Sequence, residues 1–383
     1  MRTLKSRLLI ILSVCVLLCA NSVFANSDLA RCSILSSQQN YHEAFNSCRN
    51  AAEQGIPDAQ FLLGTMYYFG DGVTQDYAEA TRWYRAAAEQ GDIDAEFALG
   101  GAYYEGLGVT QNFTEAAKFF RSAAEQGHVD SKFYLGYIYY NGRGVTQSYD
   151  RAARWFRAGA EEGNEEAQFF LGVMYNIGYG VTQNDAEAVI WIQAAAEQGH
   201  VSAQSLLGRM YLNGDGVAQD YTEAAKWLGA SAEQGDSRAQ FTLGTLYIRG
   251  QAVTQSYTEA ARWFAAAAEK GNAAAQRSLG ILFNRGYGVT QDYKEAARWY
   301  RLSAEQGNTD AQYLLGTMYY LGNGVIQDFL LAHMWLNLAA ANGSEIAVQH
   351  RNHVASNMTT DQITQAQSLA RQCLNSNYTD CGY

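Results

Sequence analysis

A glycine returns every 36 residues along most of this chain, at Gly55, Gly91, Gly127, Gly163, Gly199, Gly235, Gly271, Gly307 and Gly343, without a slip. A Leu-Gly pair keeps the same period from Leu63-Gly64 to Leu315-Gly316. So does a large aromatic residue: Trp83, Phe119, Trp155, Trp191, Trp227, Trp263, Trp299, Trp335. A fixed period of this length means one supersecondary unit stacked on copies of itself. Such an array grows by addition and needs no closed core, so a length of 383 residues does not imply two or three separate domains. It favours long surfaces over catalytic pockets.

One repeat, Ile56 to Gly91, shows the design. Ala59, Leu62, Leu63, Met66 and Tyr67 recur at helical spacing and predict a helix over 58–69, stopped by Gly70-Asp71-Gly72. Val73-Thr74-Gln75-Asp76 leads into a second helix, Tyr77 to Glu89, with Ala80, Trp83, Tyr84, Ala87 and Ala88 on one side. Each repeat is therefore an αα-hairpin, and the fold class is all-α. The Gly64 column never varies and the Ala59 column holds Ala or, once, Ser131, so the two helices approach closely. The Leu63, Tyr67 and Trp83 columns read as core packing. The Gly-x-Gly that follows each first helix is a turn between helices and not a phosphate loop, because no strand precedes it. The sixth repeat departs, with Gly250-Gln251-Ala252. Glu53, Glu89 and Glu125, each before Gln-Gly, mark helix ends.

The N-terminus is made differently. Arg2, Lys5 and Arg7 precede an apolar run from Leu8 to Ala20 and then Asn21-Ser22-Val23-Phe24-Ala25, the pattern of a secretory signal cut after Ala25. That run is too short to span a bilayer, and Leu18 before Cys19 is too bulky for lipidation. No later stretch is apolar enough to be an integral membrane segment. Export carries away Cys15 and Cys19 and three basic residues. Lys+Arg falls from 27 to 24 against 38 acidic residues, and the net charge goes from −11 to −14. An acidic surface of this kind repels nucleic acid. Cys32, Cys48, Cys373 and Cys381 remain, all outside the eight repeats. In an exported chain they favour the local pairs Cys32–Cys48 and Cys373–Cys381, with free buried thiols as the alternative.

Leu-Gly-x-x-Tyr, Gly-x-Gly-Val, Asp-Tyr-x-Glu-Ala and Trp-Tyr-Arg-x-Ala-Ala-Glu-Gln-Gly, fullest in Ala59 to Gly91 and Ala275 to Gly307, closely resemble the Sel1-like repeat. The period fits that family better than the related tetratricopeptide repeat at 34 residues. One departure is consistent: Thr74, Thr110 and Thr146 stand where the family usually has Pro. The resemblance implies a right-handed α-solenoid superhelix of antiparallel hairpins. It gives a signal peptide (1–25), an N-terminal cap with a degenerate half repeat (26–55), eight repeats (56–91, 92–127, 128–163, 164–199, 200–235, 236–271, 272–307, 308–343) and a capping helix with tail (344–383). The amphipathic stretch Thr360 to Leu374 suits that cap. It also implies an adaptor that binds a protein or peptide, possible contact with host cells, and a place in the periplasm or outside. A cysteine-rich branch associated with β-lactams carries a cysteine pair in each repeat, which this chain lacks.

No motif for catalysis or for a cofactor is present. His350 and His353 share a helix face but have no third metal ligand at fitting spacing, and no Gly-x-Ser-x-Gly elbow occurs. The expectation is a chain without cofactor or metal that is not an enzyme. An envelope hydrolase of the β-lactam or peptidoglycan type and a passive structural protein are the alternatives. Informative residues are those that vary between copies. Positions equivalent to 61, 65 and 68 lie at i, i+4, i+7 on the first helix and form one stripe, expected to line the concave face. The partner-binding candidates on it are Phe61, Tyr68, Phe97, Tyr104, Phe133, Tyr137, Tyr140, Phe169, Arg209 and Tyr320. Tyr and Phe in a groove give large contact area at little entropic cost.

Overall fold

The computed structural model describes residues 27–381, and among them every regular element is a helix. The expected signal, with Cys15 and Cys19, lies outside the described residues. α1 (Ser27–Ser37) and α2 (Tyr41–Glu53) form a first hairpin. Eight more follow: α3 (Pro57–Phe69) with α4 (Tyr77–Ala88), α5 (Ile93–Glu105) with α6 (Phe113–Glu125), α7 (Val129–Asn141) with α8 (Tyr149–Glu161), α9 (Glu165–Ile177) with α10 (Asp185–Glu197), α11 (Val201–Asn213) with α12 (Tyr221–Glu233), α13 (Ser237–Arg249) with α14 (Tyr257–Glu269), α15 (Ala273–Arg285) with α16 (Tyr293–Ala304), and α17 (Thr309–Leu321) with α18 (Phe329–Ala341). α19 (Glu345–Ala355) and α20 (Thr360–Asn375) end the chain. The chain divides into two compact units after Ala195, inside α10. Within each, consecutive hairpins stack as an α-solenoid, the second helix of one repeat against the first helix of the next. Among the described residues no helix is long and apolar enough to cross a membrane.

The periodic residues are consumed by this stacking. A methyl group on Gly64 would lie 2.8 Å from the Tyr84 ring, and Gly100, Gly136 and Gly244 stand in the same relation to Phe120, Phe156 and Phe264. The Leu-Gly beat therefore records an aromatic or aliphatic side chain of the second helix seated on the bare backbone of the first. The buried ring is the one after the expected tryptophan. Tyr84, Phe120, Phe156 and Tyr300 are fully enclosed, whereas Trp83, Phe119, Trp155, Trp191 and Trp227 are only partly buried. The column is thus an outer seam in the first five repeats, but Trp263, Trp299 and Trp335 are buried in the core as expected, and Arg82, Arg262 and Arg298 lie over the rings of Trp83, Trp263 and Trp299.

Polar clips hold the stack in register. Buried Gln60 donates to the Ala52 carbonyl of the preceding hairpin and accepts from Gln90 of its own. Gln204 and Gln276 repeat both contacts. Where the column changes, the pair changes together: Gln126 donates to Glu96, and Lys132 forms a 2.7 Å ion pair with Glu162. A buried polar residue needs its partner, so the substitution is paired. The second glycines Gly108, Gly144, Gly180, Gly288 and Gly324 rest on backbone: a methyl on Gly108 would overlap the Tyr77 carbonyl. Gly72 meets Tyr41 in the same way, so α2 packs against the following turn as the second helix of a repeat does. A disulfide joins Cys32 to Cys48 across α1 and α2. At the other end α20 packs on α18 and carries the Cys373–Cys381 disulfide. Two disulfides suit an oxidising, exported setting.

Candidate functional site

Side-chain caps start the first helix of the second to eighth repeats, and they account for two of the six histidines. His128 Nδ1 accepts from the Ser131 backbone N–H, and His200 Nδ1 from that of Ala203, doing what Asn164 does for Ala167. Asn112 caps α6 through its side-chain oxygen. His350 and His353 lie against the rings of Tyr313 and Tyr320, and His353 Nε2 is 2.9 Å from the Tyr320 hydroxyl.

In the first unit the stripe is largely filled from within. Phe61, Phe97 and Phe133 are 1 %, 0 % and 3 % exposed and Tyr68 is 8 % exposed, so these four candidates belong to the core and offer no surface to a partner. The reason is geometric. The position-61 side chain turns toward the second helix of its own repeat, where Phe61 meets Tyr84, Phe97 meets Phe120 and Phe133 meets Phe156 at 5.8, 5.8 and 5.9 Å. Tyr104, Tyr137, Tyr140 and Phe169 are half-buried. The Tyr104 hydroxyl accepts from Arg143 at 2.7 Å. Two residues outside the expected stripe complete the cluster. Tyr134 stacks on Phe120 at 5.1 Å and Phe170 on Phe156 at 5.2 Å, and Phe170 also touches Tyr137 and Tyr140.

In the second unit the corresponding place is open. Three repeats after Phe170 the sequence has Ser278, and three repeats after Tyr137 and Tyr140 it has Thr245 and Ile248. Phe264, the counterpart of Phe156, is left facing a cavity of about 550 Å³ walled by Phe241, Ile248, Ile281 and Leu282. Arg249, Arg277 and Arg285 reach the same cavity, where the first unit has Asn141, Phe169 and Ile177. Tyr257 and Tyr287, 5.1 Å apart and exposed, stand at its rim as Tyr149 and Tyr179 do three repeats earlier. Arg277 pairs with Asp310 through one terminal nitrogen, while its buried Nε has no hydrogen-bond partner. Within reach of the Arg285 and Arg277 charges lies Tyr300. Its hydroxyl is buried and unpartnered, because Ile281 stands where Thr65 meets Tyr84 in the first repeat. Burial pushes the Tyr300 phenol up and the nearby Arg285 and Arg277 charges oppose that shift.

Of the remaining candidates, Arg209 is exposed on α11 and Tyr320 is half-buried against Phe329 and His353. The column that decides open from closed is the one of Leu62, which the hydrophobic pattern assigns to the core. Its size runs Leu62, Ala98, Tyr134, Phe170, Leu206, Thr242, Ser278, Leu314, and that variation was the signal in the sequence. Arg249 and Arg285 fall in a second variable column, the last residue before the turn glycine.

The family model of the Sel1 repeat matches residues 57–92, 93–128, 129–164, 165–200, 201–236, 237–272, 273–308 and 309–344. The crystal structure of c5321, described as a protective antigen present in uropathogenic Escherichia coli strains displaying an SLR fold, is 35 % identical over 89 % of this chain and 81 % of its own, with a TM-score of 0.58. A Sel1 repeat protein from Oxalobacter formigenes is 31 % identical over 87 % of this chain and 96 % of its own, with a TM-score of 0.61. Comparison with curated proteins finds no match.

Proposed function

This chain belongs to the Sel1 repeat family, and we propose that it is an exported scaffold that binds a protein or peptide partner along the face made by the first helices of its repeats. The observation that carries this is a division of labour. Residues that keep the 36-residue period are engaged with one another in seams, caps and clips, whereas the accessible part of the stripe differs from repeat to repeat. Tyr104, Tyr137, Tyr140 and Arg209 remain at the surface, together with the arginine-lined cavity of the second unit. A uniform frame with a variable strip suits recognition of one extended partner.

Export rests on the sequence of residues 1–25 and agrees with two disulfides in a chain whose cysteines beyond Cys19 are all paired. Contact with a host is supported by likeness to c5321, whose description is that of a protective antigen of uropathogenic strains. The test is affinity capture with the mature protein and with a Tyr104→Ala/Tyr137→Ala/Tyr140→Ala/Arg209→Glu variant of unchanged circular dichroism. A defined partner from envelope extract or host-cell lysate is expected with the parent and is lost with the variant. Equal capture by both removes the stripe from the function.

A further inference from the structure

We propose that the cavity between the first helices of the sixth and seventh repeats is a binding site for an acidic peptide segment that carries an aromatic side chain. It rests on the scaffold reading above and names the partner chemistry of one place on it.

The aromatic part follows from the molecule's own filled copy of this site. Around Phe156 the space is taken by Phe170, stacked on the ring with an interplanar angle of 25°, and by Tyr137 and Tyr140. Around Phe264 the same backbone carries Ser278, Thr245 and Ile248, and about 550 Å³ is left. The seat for a ring is kept while the ring that covers it is missing. Phe241 approaches Phe264 at 5.7 Å, much as Phe133 approaches Phe156 at 5.9 Å, so the floor is unchanged. An incoming aromatic side chain stacks on Phe264 as Phe170 does on Phe156, and offset stacking of this kind adds to the area it buries.

The acidic part follows from charge. The chain is strongly acidic, yet this cavity is lined by Arg249, Arg277 and Arg285 and by no carboxylate. Arg249 and Arg285 make no ion pair among the described residues, and Arg277 has a buried Nε free. Guanidinium groups at the edge of an apolar pocket match carboxylates on either side of an inserted ring. Peptide is preferred over a small amphiphile because the rim tyrosines Tyr257 and Tyr287 extend the contact beyond the cavity itself, giving flat polar-tipped surface for backbone.

The test is fluorescence anisotropy with a fluorescein-labelled decapeptide of aspartates around a central tryptophan. Its counterparts carry lysines in place of aspartates or alanine in place of tryptophan. The mature protein is expected to bind the first saturably and neither counterpart. Ser278→Phe, which installs the ring found at Phe170, and Arg249→Glu/Arg285→Glu, both at exposed positions, are each expected to weaken binding by about tenfold or more. The double arginine variant keeps the answer independent of whether the filled pocket folds well. Equal binding of the lysine peptide, or full affinity in both variants, overturns the proposal. So does binding of laurate, displaced by Ser278→Phe, without any peptide binding. Failure of the unsubstituted protein to bind the acidic tryptophan peptide, with partner capture still dependent on Tyr104, Tyr137 and Tyr140, would sink this inference and leave the scaffold function standing.

Discussion

The third and fourth repeats and the sixth and seventh are built on the same frame and end with opposite surfaces. Phe133, Tyr149, Phe156 and Tyr179 correspond to Phe241, Tyr257, Phe264 and Tyr287. Between them, Tyr137, Tyr140 and Phe170 give way to Thr245, Ile248 and Ser278, and Asn141, Phe169 and Ile177 to three arginines. One pair of repeats closes over its own rings; the other leaves a charged cavity. The lesson is that a repeat protein acquires a site by omission. The scaffold residues stay, and a side chain that would have satisfied the seat is cut back.

The comparison breaks first at the buried ring. Phe156→Ala removes a fully enclosed side chain covered by Phe170 and is expected to cost about 4 kcal/mol in urea unfolding, as is usual for a core aromatic. Phe264→Ala, with a cavity already above the ring, is expected to cost about 1 kcal/mol less. Equal losses would mean that the cavity is closed in solution. A smaller effect comes from exchanging the covering residues. Phe170→Ser is expected to lose about 3 kcal/mol, because it exposes Phe156 and strips contacts from Tyr137 and Tyr140. Ser278→Phe is expected to be neutral or to gain up to about 1 kcal/mol by adding buried apolar area. If both exchanges destabilise alike, the two places are not equivalent frames.

Most of the frame was legible in the sequence because it repeats. Eight copies fix which positions tolerate no change, and Gly64, Leu63 and Ala59 are where two helices touch. The site was legible only in part. Periodicity identifies a helix face, but it does not say where one side chain ends and its neighbour begins. Phe61, Phe97 and Phe133 share the stripe with Tyr104 and are buried because a phenyl ring on that turn reaches the next helix. Tyr134 and Phe170 were hidden for the reverse reason: an aromatic in a leucine column reads as core until its register places it over the neighbouring repeat's ring. The cavity arises from a contact between repeats, and no single repeat encodes it.

A pH-dependent contribution in the first unit has to be separated before the two regions are compared in stability. Burial raises the Asp92 carboxyl from its ordinary 3.8 to about 6, against the opposing hydrogen bond from the Ala95 N–H. With a folded value above the unfolded one, its contribution is fully present below about pH 4 and is lost as the pH rises through 6. Asp92→Asn keeps a capping oxygen, as Asn164 shows at the same position two repeats further on. The variant is expected to be about 1–2 kcal/mol more stable than the parent at neutral pH, with the gap closing by pH 4. Parallel thermal-melt profiles from pH 4 to pH 7 would show that Asp92 does not titrate there.

The smallest effect lies beside the open cavity. In the sixth repeat Ala252 takes the place of the second turn glycine and adopts a φ of 60°, in the left-handed region where Gly108 and its equivalents sit. An alanine there is strained by roughly 1 kcal/mol relative to glycine. The residue stands between Arg249 at the cavity and Tyr257 at its rim. If the strain is only a defect of the turn, Ala252→Gly raises the stability of the second unit by about 1 kcal/mol and leaves affinity for the acidic peptide unchanged. If the alanine instead limits the freedom of the segment that carries those two side chains, the same substitution stabilises the unit less and weakens peptide binding. Melting and anisotropy measured on one preparation decide between them, and the outcome says whether this turn belongs to the common frame or to the site.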